Sequence, residues 1–125
     1  MANSEERMGK NQRDIEVRSL AFAVRIIKLV NALPNGNAGS VIARQLMRSG
    51  TSIGANIEEA QGSASRKDFA RRINVARGEA RETLYWLRLL SASGLVSETR
   101  LRELMKETDE LVSILTPIVK RSKSV

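Results

Sequence analysis

The architecture of this chain depends on the segment RSGTSIGANIEEAQGSASR, residues 48–66. It is rich in small residues, which suits either a loop that cradles a ligand or a helix that another helix approaches closely. Apolar or small residues recur at intervals of three or four from Ile42 to Ala60, by way of Leu46, Ser49, Ile53 and Ile57. Because this is the period of an α-helix, we assign the segment up to about residue 61 to a helix.

Two glycines in this helix, Gly50 and Gly54, are four residues apart and share one face. Each destabilises a helix interior by about 1 kcal/mol relative to alanine, and close approach of another backbone is the usual compensation. The residues predicted to form this close helix packing are Ser49, Gly50, Ile53, Gly54, Asn56 and Ile57. A phosphate-binding loop is disfavoured, since no Lys-Ser/Thr pair follows the second glycine and no strand precedes the segment.

Breaks in helical pattern divide the chain into four helices. They are the segments LPNGNAGS (33–40), QGSAS (61–65) and SASGLVS (91–97). The predicted helices cover about 14–33, 39–61, 65–91 and 97–119, followed by a frayed basic tail at 120–125. Asp14 is the expected N-cap of the first helix, and Pro117 is expected to kink or end the fourth.

The spacing of apolar residues predicts how these helices pack. The third and fourth helices carry seams with alternating steps of three and four, typical of antiparallel bundles. Their members are Phe69, Ile73, Ala76, Ala80, Thr83, Leu87 and Leu90, then Leu101, Leu104, Thr108, Leu111, Leu115 and Ile118. In the first helix a second row, Leu20, Val24 and Ile27, is expected to widen the buried face. Short connections favour a single all-α domain, 1–125, with up-down-up-down antiparallel four-helix-bundle topology.

Composition excludes several classes of site. The 125 residues include no cysteine and no histidine, so disulfides, the usual zinc sites and histidine-based catalysis are excluded. We predict no catalytic residue, no cofactor-binding residue and no metal ligand. No apolar run reaches the roughly 18 residues of a membrane span, and the N-terminus has no signal-peptide pattern. We therefore expect a cytoplasmic protein that is not an enzyme.

The charge is basic and uneven. The chain carries +7, and residues 66–97 alone contain seven basic and three acidic side chains. Such an excess favours an anionic partner, with RNA or DNA first. The candidate phosphate contacts are Arg66, Lys67, Arg71, Arg72, Lys120, Arg121 and Lys123. The alternative is a structural adaptor that binds another protein, in which the charge serves solubility alone.

The third helix also separates its charges. At about 100° per residue, arginines lie on one flank and acidic residues with a tryptophan on the other. Separated flanks suit a contact in which the basic side of one subunit meets the acidic side of the next. The predicted oligomer-interface residues are Arg77, Glu79, Arg81, Glu82, Trp86 and Arg88. Alternatively, Trp86 lies over the edge of its own bundle.

Two motifs in this order and spacing, SIGANIEEAQ (52–61) and EARETLYWLRLL (79–90), carry a family resemblance. The chain resembles the bacterial four-helix-bundle proteins related to those encoded in intervening sequences of large-subunit ribosomal RNA genes. The resemblance implies a cyclic homo-oligomer, typically a homopentamer. A more distant likeness to the accessory variability protein of diversity-generating retroelements implies nucleic acid and a reverse transcriptase, or another nucleic-acid enzyme, as partners.

Overall fold

The computed structural model describes the backbone of residues 4–123 and the side chains of residues 14–122. This part of the chain forms four helices, α1 (Ser4–Ala32), α2 (Asn37–Gln61), α3 (Arg66–Ala92) and α4 (Glu98–Lys123). Each helix packs against the next, and α1 also packs against α4, whereas α1 and α3 make no contact. The fold is therefore an all-α four-helix bundle in which α1 and α3 lie diagonally opposite each other.

Helix boundaries differ from the sequence-based expectation by more than one residue at three points. Helix α1 begins at Ser4, so Asp14 lies inside it and is not its N-cap. Helix α2 begins two residues early, at Asn37, directly after Gly36, whose φ of 152° favours glycine. Helix α4 continues through Pro117 to Lys123, so residues 120–123 are helical. Because Pro117 has no backbone N–H, the carbonyl of exposed Ser113 lacks its usual helical donor.

The start of α3 follows its sequence signal. Ser65 is the N-cap, and its Oγ accepts a hydrogen bond of 3.1 Å from the backbone N–H of Asp68. This bond satisfies one of the amide donors that every helix leaves open in its first turn.

The core lies along the predicted seams. All six predicted seam positions of α2 and all six of α4 are buried. In α3, Phe69 is only partly buried and its neighbour Ala70 occupies the core side, but the remaining seam residues are buried. The alternating steps of three and four therefore located the buried faces of these helices.

The second apolar row of α1 is not buried. Phe22 and Ile26 are inaccessible to solvent, whereas Leu20 and Val24 are 68% and 44% exposed. Ile27 is 38% exposed, so the prediction that this row widens the buried face is wrong. Since α1 contacts only α2 and α4, both on the side of Phe22, a row more than 100° away around the helix faces outward.

Helix α1 crosses α2 at the two glycines. A Cβ built on Gly50 would lie 2.9 Å from Cγ1 of Ile26, and one on Gly54 would lie 3.2 Å from Oγ of Ser19. As the residue number rises along α2, that of its α1 neighbour falls, so the helices are antiparallel. Asn56 is half-buried, but its Nδ2 donates to the carbonyl of Ser52 within its own helix and links no second helix.

Candidate nucleic-acid interface

The basic residues predicted as phosphate contacts lie at one end of the bundle. Helices α3 and α4 are 27 and 26 residues long and are joined by the short connection 93–97, so the start of α3 lies level with the end of α4. This places Arg66 and Lys67 at the same end as Arg121. We call the set Arg66, Lys67, Arg71, Arg72, Lys120 and Arg121 the basic end; the predicted contact Lys123 closes α4, and its side chain lies outside the described part.

The side chains of the basic end are mostly exposed, although Arg72 is half-buried. Arg66, Lys67, Arg72 and Arg121 form no ion pair with the side chains described in residues 14–122. Arg71 lies 3.7 Å from a carboxylate oxygen of Asp68, and both side chains are more than half exposed. A contact of this kind contributes little, so Arg71 and the four cations without an ion pair are available to an external anion.

The opposite side of the same end is acidic. Glu58 and Glu59 stand in the last turns of α2, and both are exposed. Asp14 of α1 lines a cleft of about 520 Å³ with Pro117 and Arg121 of α4, which places it at this end too. The end is therefore divided: its cations lie on α3 and α4, and its carboxylates other than Asp68 lie on α1 and α2, so an anion would contact the α3–α4 side.

Arg18 joins α1 to α4. Its Nη2 lies 2.6 Å from Oε1 of Glu107 and 2.7 Å from Oε2 of Glu110, and its Nε donates to Oε2 of Glu107 over 3.1 Å. The paired geometry with Glu107 is the strong form of an arginine–carboxylate contact. The hydrogen bond from Arg18 lowers the pKa of Glu107 against the opposing effect of partial burial.

Arg48 joins α2 to α3 and pairs with both glutamates of the acidic flank that was predicted to meet another subunit. Its guanidinium lies 3.2 Å from Oε2 of Glu79 and also pairs with Glu82. Trp86 donates its indole N–H to Oε2 of Glu82 over 3.0 Å, and this bond, helped by Arg48, lowers the pKa of Glu82. Trp86 is half-buried against its own core, as in the alternative interpretation, and its ring meets Tyr85 edge-on at 5.1 Å.

The arginine flank of α3 has a different environment. Arg77, Arg81 and Arg88 form no ion pair within the part of the chain whose side chains are described, and the last two are exposed. The structure thus places the predicted interface residues on one helix but gives the acidic ones partners within the chain. The sequence did not reveal those partners, because Arg48 is separated from Glu79 and Glu82 by 31 and 34 residues.

A buried polar contact marks the centre of the α2–α3 packing. Thr83 Oγ1 donates to Ser49 Oγ over 2.9 Å, and Ser49 donates to the carbonyl of Gln45 over 2.8 Å. Both side chains are fully buried. Their hydroxyls therefore satisfy each other within the seam and have no role in an outward-facing site.

The two carboxylates with lowered pKa values predict a pH-dependent stability. We expect the free energy of unfolding to fall as the pH drops from about 5 to 3. The pKa values of Glu82 and Glu107 are lower in the folded chain than in the unfolded chain, where a glutamate has a pKa of about 4.3, so the unfolded chain takes up protons first. Above that range their stabilising contribution is fully present. Urea unfolding at a series of pH values measures it. Glu107→Gln should make the dependence shallower, whereas Glu103→Gln, at an exposed α4 position, should leave it unchanged.

Among the described residues, no three acidic side chains converge to form a metal site. None of the helices described is both long enough and apolar enough to cross a membrane.

These features define a four-helix-bundle protein with a divided, partly basic end. Residues 12–117 match the model of the 23S rRNA-intervening sequence protein family, and the chain belongs to that family. A crystal structure of a protein with unknown function from the S23 ribosomal protein family of Bacteroides thetaiotaomicron VPI-5482 is similar, with 39% sequence identity and a TM-score of 0.83. The match covers 88% of this chain and 98% of that one. None of the curated proteins compared with the chain matches it.

Proposed function

We propose that this protein is a non-enzymatic, oligomeric module whose basic end binds the phosphate backbone of RNA or DNA. It acts alone or with a nucleic-acid-processing enzyme. The observation that carries the proposal is the group of cations at the start of α3 and the end of α4. Four of them, Arg66, Lys67, Arg72 and Arg121, have no ion-pair partner among the described side chains.

The chemistry of the basic end favours contact with phosphate over readout of bases. Its side chains are lysine and arginine, and the one aromatic residue nearby, Phe69, packs against the core. Sequence-specific RNA recognition usually stacks unpaired bases on aromatic rings, which this surface does not present. Binding should therefore depend on charge and backbone shape. In a cyclic oligomer, the pentamer being the form that the family resemblance implies, each basic end repeats around the axis, so weak contacts add by avidity.

Fluorescence anisotropy of a labelled RNA hairpin and a labelled DNA duplex tests the proposal. We expect dissociation constants in the micromolar range or below at about 50 mM salt, weakening steeply by about 200 mM as counterions are released. In a plot of the logarithm of the association constant against the logarithm of the salt concentration, the slope gives the number of phosphates contacted. If neither probe binds at the lower salt concentration, the proposal is wrong, and the adaptor function with a protein partner replaces it.

A further inference from the structure

An apolar stripe runs along the outer face of α1. Its members, Val17, Leu20, Val24 and Ile27, follow steps of three, four and three. Val17 and Leu20 are 70% and 68% exposed. Single exposed apolar residues are common, but four in register on a helix whose opposite face is already buried form a second packing surface. We call these four residues the α1 stripe.

A groove between α1 and α2 widens this surface. Its volume is about 490 Å³, and residues of the α1 stripe form one wall. Small residues, Ala23, Gly54 and Ala55, line it, so a helix backbone could come close. Two carboxylates, Glu16 and Glu58, stand at its rim. The groove therefore suits a helix that carries positive charge beside its contact face.

Helix α3 carries a matching surface on its outer face, with the same steps of three, four and three. We call Val75, Gly78, Glu82 and Tyr85 the α3 stripe. Val75 and Tyr85 are 40% and 57% exposed. A Cβ built on Gly78 would meet nothing within 4 Å, so no contact within the described chain requires glycine at this position. Glycine disfavours the helix interior, and the open space above Gly78 would let the backbone of another molecule approach closely.

The two stripes cannot meet within one molecule, because α1 and α3 are diagonal in the bundle and face away from each other. Glu82 in the α3 stripe is already paired with Arg48, and the remaining charges beside the two stripes are opposite in sign. Arg77 and Arg81 flank the α3 stripe without ion-pair partners among the described residues, and Glu16 and Glu58 rim the groove beside the α1 stripe. We infer that the α1 stripe of one copy packs on the α3 stripe of a second copy, with Gly78 at the closest approach.

A contact between two different surfaces is heterologous, so it repeats from copy to copy and closes a ring or extends a filament. The inference rests on the oligomeric part of the proposed function and deepens it, by assigning the contact to α1 and the outer face of α3. It does not require nucleic acid. Assembly can be measured without RNA, and RNA binding can be measured in a separate experiment. One proposal can therefore prove wrong while the other holds.

Two variants on exposed positions test the contact. Leu20→Glu destroys the α1 stripe, and Gly78→Gln fills the notch in the α3 stripe, while neither touches the core. In sedimentation-velocity runs at about 10–100 µM, where a contact with a micromolar dissociation constant is largely formed, the unmodified chain should assemble. Each variant should raise the dissociation constant at least about 30-fold, the loss typical of a central contact residue. Circular dichroism confirms that both remain folded.

Mixing the variants gives the decisive result. The Leu20→Glu chain keeps an intact α3 stripe and the Gly78→Gln chain keeps an intact α1 stripe, so together they should form a heterodimer that grows no further. Ser113→Glu, at an exposed position of α4 away from both stripes, should assemble like the unmodified chain. A monomeric unmodified chain at 100 µM, full assembly of either variant, or no heterodimer in the mixture would overturn the inference.

Discussion

Replacing Gly50 by leucine should lower the free energy of unfolding by about 3 kcal/mol or more, because α1 occupies the space that the new side chain needs. A Cβ at this position would lie 2.9 Å and 3.0 Å from the two γ-carbons of Ile26 and 3.3 Å from its Cβ. Isoleucine is nearly fixed at χ1 in a helix, so it cannot turn away, and α1 itself must shift. Chemical denaturation measures the loss.

Alanine at three glycines separates crowding from helix propensity. Gly78→Ala should raise the free energy of unfolding of the single chain by about 0.5–1 kcal/mol, since its Cβ enters open space. Gly50→Ala gains the same helix propensity, but crowding against Ile26 should lower the free energy of unfolding by about 1–3 kcal/mol. The net effect of this substitution is therefore destabilising. Gly54→Ala, 3.2 Å from Ser19 Oγ, should fall between them. Equal gains at all three positions would contradict close packing at Gly50.

Removing charge from the basic end should weaken nucleic-acid binding by at least about 100-fold at physiological salt. The variant replaces Arg66, Lys67, Arg72 and Arg121 with glutamine. Each lost phosphate contact should also reduce the salt slope by about 0.7–0.9. Anisotropy titrations at several salt concentrations measure both quantities.

A second fourfold variant distinguishes a site from net charge. Replacing Lys28, Arg44, Arg100 and Arg102 with glutamine makes the same change in charge at exposed positions outside the basic end. It should reduce affinity far less and leave the slope nearly unchanged. If both variants weaken binding equally, the protein attracts nucleic acid through its overall charge, and the basic end is not the binding surface.

The sequence predicted the bundle well where each helix has one apolar stripe. In α2 and α4 the steps of three and four allow only one inward face, and their predicted seam residues are buried. Helix α1 was harder, because Phe22 and Leu20 belong to two stripes of similar hydrophobicity. Which one faces the core depends on where α2 and α4 lie around α1, and local periodicity does not contain that information.

The candidate site was predictable only in part. The shared end of α3 and α4 follows from two helices of similar length joined by a short connection, so the positions of Arg66 and Arg121 could be inferred. The pairing of Arg48 with Glu79 and Glu82 could not, because it depends on how far α2 slides along α3. A shift of one turn, about 5.4 Å, would leave the acidic flank without Arg48. The charge pattern of α3 alone therefore suggested an external partner for carboxylates that have an internal one.

The order of helix contacts has a consequence for how the chain folds. Every helix contact except that between α1 and α4 joins neighbours along the chain. Such local topology gives low contact order, and helical proteins of this kind fold in microseconds to milliseconds. The ion pairs of Arg18 with Glu107 and Glu110 span 89 and 92 residues, so they close a long loop and should form after the transition state. Their removal should therefore accelerate unfolding and leave the folding rate nearly unchanged.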